Sequence, residues 1–123
     1  IMDDVRQMMR AVFKTKNELT LAVSGTGMAG MECILTNLLE PGDGMLVCVN
    51  GVFGGRMADM AARQGAVVTE LKLDWGKTYD PQQIAEALKT NLGIKVVGIV
   101  HAETSTGAHQ PDVAAIAQIA HEH

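Results

Sequence analysis

The order of residues predicts an α/β fold, a mainly parallel sheet with helices on both faces. Three observations predict it. Short apolar runs alternate with stretches of helical periodicity; the runs are apolar along nearly their whole length, as strands covered on both faces are; and Gly, Pro or Asn stands at most junctions. At 123 residues, with 47% hydrophobic and 20% charged residues, the chain is long enough for one real core and too apolar for disorder.

The first helix opens on Asp3-Asp4 and carries a stripe of Val5, Met8, Met9, Val12 and Phe13, expected to pack on a neighbour. A polar link, residues 14–18, leads to Leu19-Thr20-Leu21-Ala22-Val23, which reads as a buried strand. Ser24-Gly25-Thr26-Gly27-Met28-Ala29-Gly30 then turns into a second helix, apolar at Ile34, Leu35, Leu38 and Leu39. Glu40-Pro41-Gly42-Asp43-Gly44 stops that helix, and Met45–Val49 is a second, wholly apolar strand. Asn50-Gly51 breaks it. A helix from Phe53 to Gln64 follows, with Met57, Met60 and Ala61 inward and Gly65 at its end.

Residues 66–71 form a third strand, less central because it carries Glu70, and residues 74–79 a loop. Asp80-Pro81-Gln82-Gln83 is a helix start: Asp as N-cap, Pro at the first position and Gln reaching back from the third. Ile84, Ala87 and Leu88 form its buried face. Residues 95–100 are a fourth strand, and His101-Ala102-Glu103-Thr104-Ser105-Thr106-Gly107 its C-terminal loop. Pro111-Asp112 opens a last helix through Val113, Ile116, Ala117 and Ala120.

Ligands of parallel sheets sit beyond the carboxyl ends of the strands. Three polar loops fall there, residues 24–28, 50–54 and 101–107, and are expected to converge on one pocket. The first is a strand–glycine turn–helix. The unpaired N–H groups and positive dipole end of a helix bind anions, so Thr26, Gly27 and Met28 read as a phosphate cup, or as an ordinary strand-to-helix turn. Phe53 reads either as an apolar cover for a flat ligand or as a core residue of its helix. The hydroxyls of Thr104, Ser105 and Thr106 read either as site donors or as a turn closing on its own backbone.

Several functions are disfavoured. Net charge is −4 with both signs interspersed, so no nucleic-acid or membrane-surface partner is expected. No apolar run approaches the roughly 18 residues of a membrane span. The acidic opening is unlike a secretory leader, and Cys33 and Cys48 read as free thiols of a reducing compartment, so the cytoplasm is expected. Gly25-x-Gly27-x-x-Gly30 matches the dinucleotide fingerprint, but Asn50-Gly51 stands where its ribose-binding acid belongs. His101-x-Glu103 lacks the Pro-Cys-x-x-Cys partner of zinc deaminases, and His121 and His123 point to different faces, so no metal site is expected.

Taken together, Ser24-Gly25-Thr26-Gly27, Asn37–Asp43, Asn50-Gly51-Val52-Phe53-Gly54-Gly55-Arg56 and His101–Gly107 resemble the class V aminotransferases, most of all the alanine–glyoxylate and serine–pyruvate group. The resemblance implies a fold type I architecture, pyridoxal 5'-phosphate as cofactor, amino acid and 2-oxo acid substrates, and a homodimer sharing its active site. It implies that Thr26, Gly27 and Met28 receive the cofactor phosphate, that Phe53 stacks on the pyridine ring, and that Thr104 hydrogen-bonds near the phenolic oxygen. Many relatives have Trp or Tyr at Phe53, and His or a hydroxyl residue at Met28, so Met28 is expected to use its backbone N–H alone.

Residues 1–123 are thereby expected to be a partial large domain, truncated at both ends. The Schiff-base lysine, the aspartate facing the pyridine nitrogen, the substrate-binding arginine and the C-terminal small domain all fall later than His123. Lys14, Lys16, Lys72, Lys77, Lys89 and Lys95 do not take the lysine's place, so the isolated chain is expected to be inactive. The alternatives within the fold are 2-aminoethylphosphonate–pyruvate aminotransferase and cysteine desulfurase. Outside it they are a dinucleotide-binding module and a non-enzymatic α/β domain.

Overall fold

The computed structural model describes all residues, Ile1–His123, as two compact units, Ile1–Cys33 and Ile34–His123. In the first, α1 spans Met2–Phe13, with Asp3 and Asp4 in its first turn and the terminal amine 3.0 Å from Asp4. Lys14 closes it in the left-handed conformation (φ 51°), so that Thr15 N–H returns to the Arg10 carbonyl. Arg6 and Arg10 donate to the Glu18 carbonyl and fold the link back on the helix.

Two expectations fail in this unit. No residue of α1 is buried: Val12 and Phe13, which end the expected packing stripe, are 77% and 70% exposed. Residues 19–23 are not a strand. A strand exists only as a member of a ladder, and apart from a local bond from Thr20 N–H to the Glu18 carbonyl this backbone finds no partner in the chain. Leu19, Leu21 and Val23 consequently lie exposed at alternate positions.

α2 spans Gly27–Leu38 and carries the chain into the second unit, where Leu35 and Leu39 are buried. Its exit turn is tied by Asp43, which accepts Glu40 N–H at 3.0 Å and pairs with Lys95. β1 (Gly44–Val49) is central in a three-stranded parallel sheet, between β2 (Val67–Lys72) and β3 (Ile94–Gly98), in the order β2-β1-β3. That placement is why Met45-Leu46-Val47-Cys48 are all buried and all apolar. β2 is an edge, as Glu70 foretold, and Glu70 and Lys72 pair in solvent.

α3 (Val52–Arg63), α4 (Pro81–Thr90) and α5 (Val113–Glu122) cover the sheet. On one face Leu46 and Cys48 pack with Tyr79, Ile84, Leu88 and Ile116, bringing in α4 and α5. On the other, Met45 and Met57 of α3 meet over Gly98, where a Cβ would stand 2.5 Å from both side chains. The helix start at Asp80 is as expected: Gln82 N–H donates to Asp80 at 2.8 Å and Asp80 N–H to Gln83 at 2.9 Å. Beyond β3 the chain makes a small hairpin, β4 (Ala102–Glu103) with β5 (Ala108–His109), where the sequence pattern shows only a loop. No helix is long and apolar enough to cross a membrane.

Candidate functional site

Thr26 stands immediately before α2 and caps it, its Oγ1 accepting Ala29 N–H at 3.3 Å and its carbonyl accepting Gly30 N–H at 3.2 Å. The N–H groups of Gly27 and Met28 donate to nothing in the chain. They are the orphan donors of a 12-residue helix, at its positive end. A Cβ on Gly27 would meet no atom within 4 Å, so the approach is open, and Gly25 (φ 149°) provides the bend in front of it. The turn is therefore free to take an anion. The preceding element of the dinucleotide fingerprint, a strand, is absent.

The second unit joins the other two polar loops, those after β1 and β3. Phe53 lies half-buried in the first turn of α3, with the Arg56 guanidinium 5.7 Å from its ring centroid. Gly54 lets α3 sit directly on β1, since a Cβ there would stand 2.7 Å from the Cys48 carbonyl oxygen. Asn50, buried, donates to the Lys77 carbonyl at 2.7 Å and so holds the loop before α4, rather than offering a group to a ribose.

The three hydroxyls part company. Ser105 donates to Glu103 at 2.5 Å and accepts Val52 N–H at 2.9 Å. Thr106 points its hydroxyl toward the carbonyls of Asn50 and Glu103 at 3.4 Å. Thr104 alone is exposed with its hydroxyl uncommitted. Two of the three thus serve the chain's own backbone, and only the Thr104 hydroxyl is left without a partner in the chain.

The burial of Glu103 and of Gln110 leaves little mark in the sequence. Glu103 is fully buried, accepting Gly54 N–H at 3.0 Å and the Ser105 hydroxyl. Burial pushes its carboxyl up, and hydrogen bonds from the Ser105 hydroxyl and the N–H groups of Gly54, Phe53 and Ser105 outweigh it, leaving it below the ordinary value. Both carboxylate oxygens are thus engaged within the fold, one by Gly54 and the other by Ser105. Gln110, also buried, brackets Tyr79, accepting its N–H and donating to its carbonyl, both at 2.8 Å. A polar letter in a polar loop gives no sign of burial; the one available hint was Gly51, whose missing side chain makes room for Glu103.

Cys48 is buried in the sheet, and burial pushes its thiol up to about 12, which makes it a poor nucleophile. The rings of His101 and His109 meet across the hairpin with centroids 4.8 Å apart and planes tilted by 40°. No group of three or more His, Cys, Asp or Glu side chains is placed to hold a metal ion.

The model of the class V aminotransferase family matches residues 1–123. Over 111 residues the chain is 45% identical to alanine–glyoxylate aminotransferase of Felis catus and 39% identical to (S)-ureidoglycine–glyoxylate transaminase of Bacillus subtilis, covering 90% of this chain in each case. Those stretches are 27% and 26% of the two relatives. The crystal structure of alanine–glyoxylate aminotransferase from Nostoc sp. superposes with a TM-score of 0.88 at 43% identity, over 97% of this chain and 32% of that one. The chain thus spans about a third or less of the relatives it matches.

Proposed function

The chain belongs to the class V aminotransferase family, and from that premise we propose that it forms the phosphate-and-ring-binding part of a pyridoxal-phosphate-dependent transaminase. One observation carries the reading: the orphan N–H groups of Gly27 and Met28 at the open, positive end of α2. They suit a phosphoryl group, with Met28 using its backbone and Thr26 keeping a hydroxyl hydrogen to donate. Phe53 supplies an apolar face for a pyridine ring, and Thr104 an unspent hydroxyl for a ring oxygen. These donors fit pyridoxal 5'-phosphate, which when bound supplies the electron sink for moving an amino group.

The reaction we assign is transfer from alanine or serine to glyoxylate or pyruvate. Glyoxylate is the better supported acceptor, because it stands in the names of relatives with different amino donors. We place the active site in a cytoplasmic homodimer and expect residues 1–123 alone to be inactive, since none of their lysines belongs to the site. The inertness of Cys48 argues against a desulfurase built on that thiol.

Three ligands separate the readings. Pyridoxal phosphate should bind the full-length protein carrying residues 1–123, pyridoxal without its phosphate about tenfold or more weakly, and NAD not at all. Binding of NAD without pyridoxal phosphate would overturn the assignment. Sedimentation of the same protein as a monomer would remove the dimer.

A further inference from the structure

The two amides that flank Phe53 both end on side chains of the β4–β5 hairpin. Gly54 N–H donates to Glu103 Oε2 at 3.0 Å and Val52 N–H donates to Ser105 Oγ at 2.9 Å, while the Phe53 N–H between them faces the same carboxylate. Ser105 closes the network on Glu103 Oε1 at 2.5 Å. Thr104 lies between the two residues in sequence. The N-cap position of α3, Gly51, makes no side-chain cap of its own.

An Asp or Ser at position 51 would cap these amides locally. Here the acceptor is borrowed from about fifty residues on. Gly51 is required by the loan, because a Cβ there would stand 2.4 Å from Glu103 Cγ and 2.8 Å from Ser105 Oγ. A local cap would stabilise α3 equally well. What the borrowed one adds is a link between the backbone of Phe53 and the backbone of Thr104. Burial makes that link stiff, since a fully buried carboxylate with its donors in place has no alternative position of comparable energy.

We propose that Glu103 is a positioning residue, whose buried carboxylate fixes the Phe53 ring relative to Thr104 and so pre-forms the seat for the cofactor ring. This rests on the reading of Phe53 and Thr104 as cofactor contacts. Glu103 acts through the helix start and touches no cofactor atom itself.

A double-mutant cycle in the full-length protein carrying residues 1–123 tests it, using Glu103→Gln, Phe53→Leu and both together. Pyridoxal phosphate affinity and hydrogen exchange at the amides of residues 52–54 are the readouts. Glu103→Gln should weaken binding about tenfold when Phe53 is present and less than about twofold in the Phe53→Leu background, because its effect passes through the ring. In the cofactor-free protein it should speed exchange at residues 52–54 by about tenfold. Ser105→Ala, a milder cut in the same network, should show the same dependence on Phe53 with about threefold loss, and serves if Glu103→Gln does not fold. Equal losses in both backgrounds, or none, overturn the positioning role while leaving the proposed function standing. Failure of the unaltered protein to bind pyridoxal phosphate overturns the proposed function, and the positioning role with it.

Discussion

Thr104 and Glu103 are adjacent in sequence and opposite in employment. The Thr104 hydroxyl has no partner in the chain and, in the proposed function, meets the cofactor, so Thr104→Val should leave the fold alone and weaken pyridoxal phosphate binding about fivefold, the worth of one ordinary hydrogen bond, measured by titration. Glu103 contributes to the fold itself. Its folded pKa lies below its unfolded value, so its contribution is fully present above the unfolded pKa and is lost as pH falls through the folded one. The stability gap between the unaltered chain and Glu103→Gln should therefore be widest near neutrality and close in acid below about pH 4, as urea unfolding at a series of pH values would record. A gap independent of pH would mean that the carboxylate is not held ionised. The glycine turn and Phe53 were legible as candidates, because a glycine-rich turn before a helix and an aromatic just after a strand-end Asn-Gly have local patterns. The separation of Thr104 from Ser105 and Thr106 was not legible, because what occupies those hydroxyls lies some fifty residues upstream, in Asn50 and Val52, or in a carboxylate whose burial only the fold decides.

Elements whose causes are local came through the sequence intact. The Asp80 capping box formed as spelled, and Asp80→Ala should cost about 1 kcal/mol in urea unfolding. β1, apolar at every position, could only be a central strand. Gly54→Ala should cost more, about 2–3 kcal/mol, since the added methyl meets the Cys48 carbonyl and must push α3 off the sheet. Elements whose causes are distant were misread. Leu19–Val23 has strand composition but no ladder in this chain, and α1 has an amphipathic stripe but no buried residue. Composition states what an element can pair with, and only the partner makes it a strand or a buried helix. The hairpin of residues 102–109 shows the converse: two-residue strands are too short to leave a periodic trace, yet they carry Glu103 to α3.

At the scale of the molecule, a parallel sheet delivers two loops side by side at the carboxyl ends of β1 and β3, and cross-loop hydrogen bonds lock them together. The glycine cup belongs to the other compact unit and offers its free amides by itself. The proposed function rests on the free amides of Gly27 and Met28 as the seat of a cofactor phosphate. A crystal structure of the full-length protein carrying residues 1–123, grown with pyridoxal phosphate, tests it most directly. Phosphate oxygens should lie about 3 Å from the N–H groups of Gly27 and Met28, the ring against Phe53, and Thr104 Oγ1 within hydrogen-bond reach of the phenolic oxygen. A phosphate bound elsewhere, with those amides facing solvent, would contradict it.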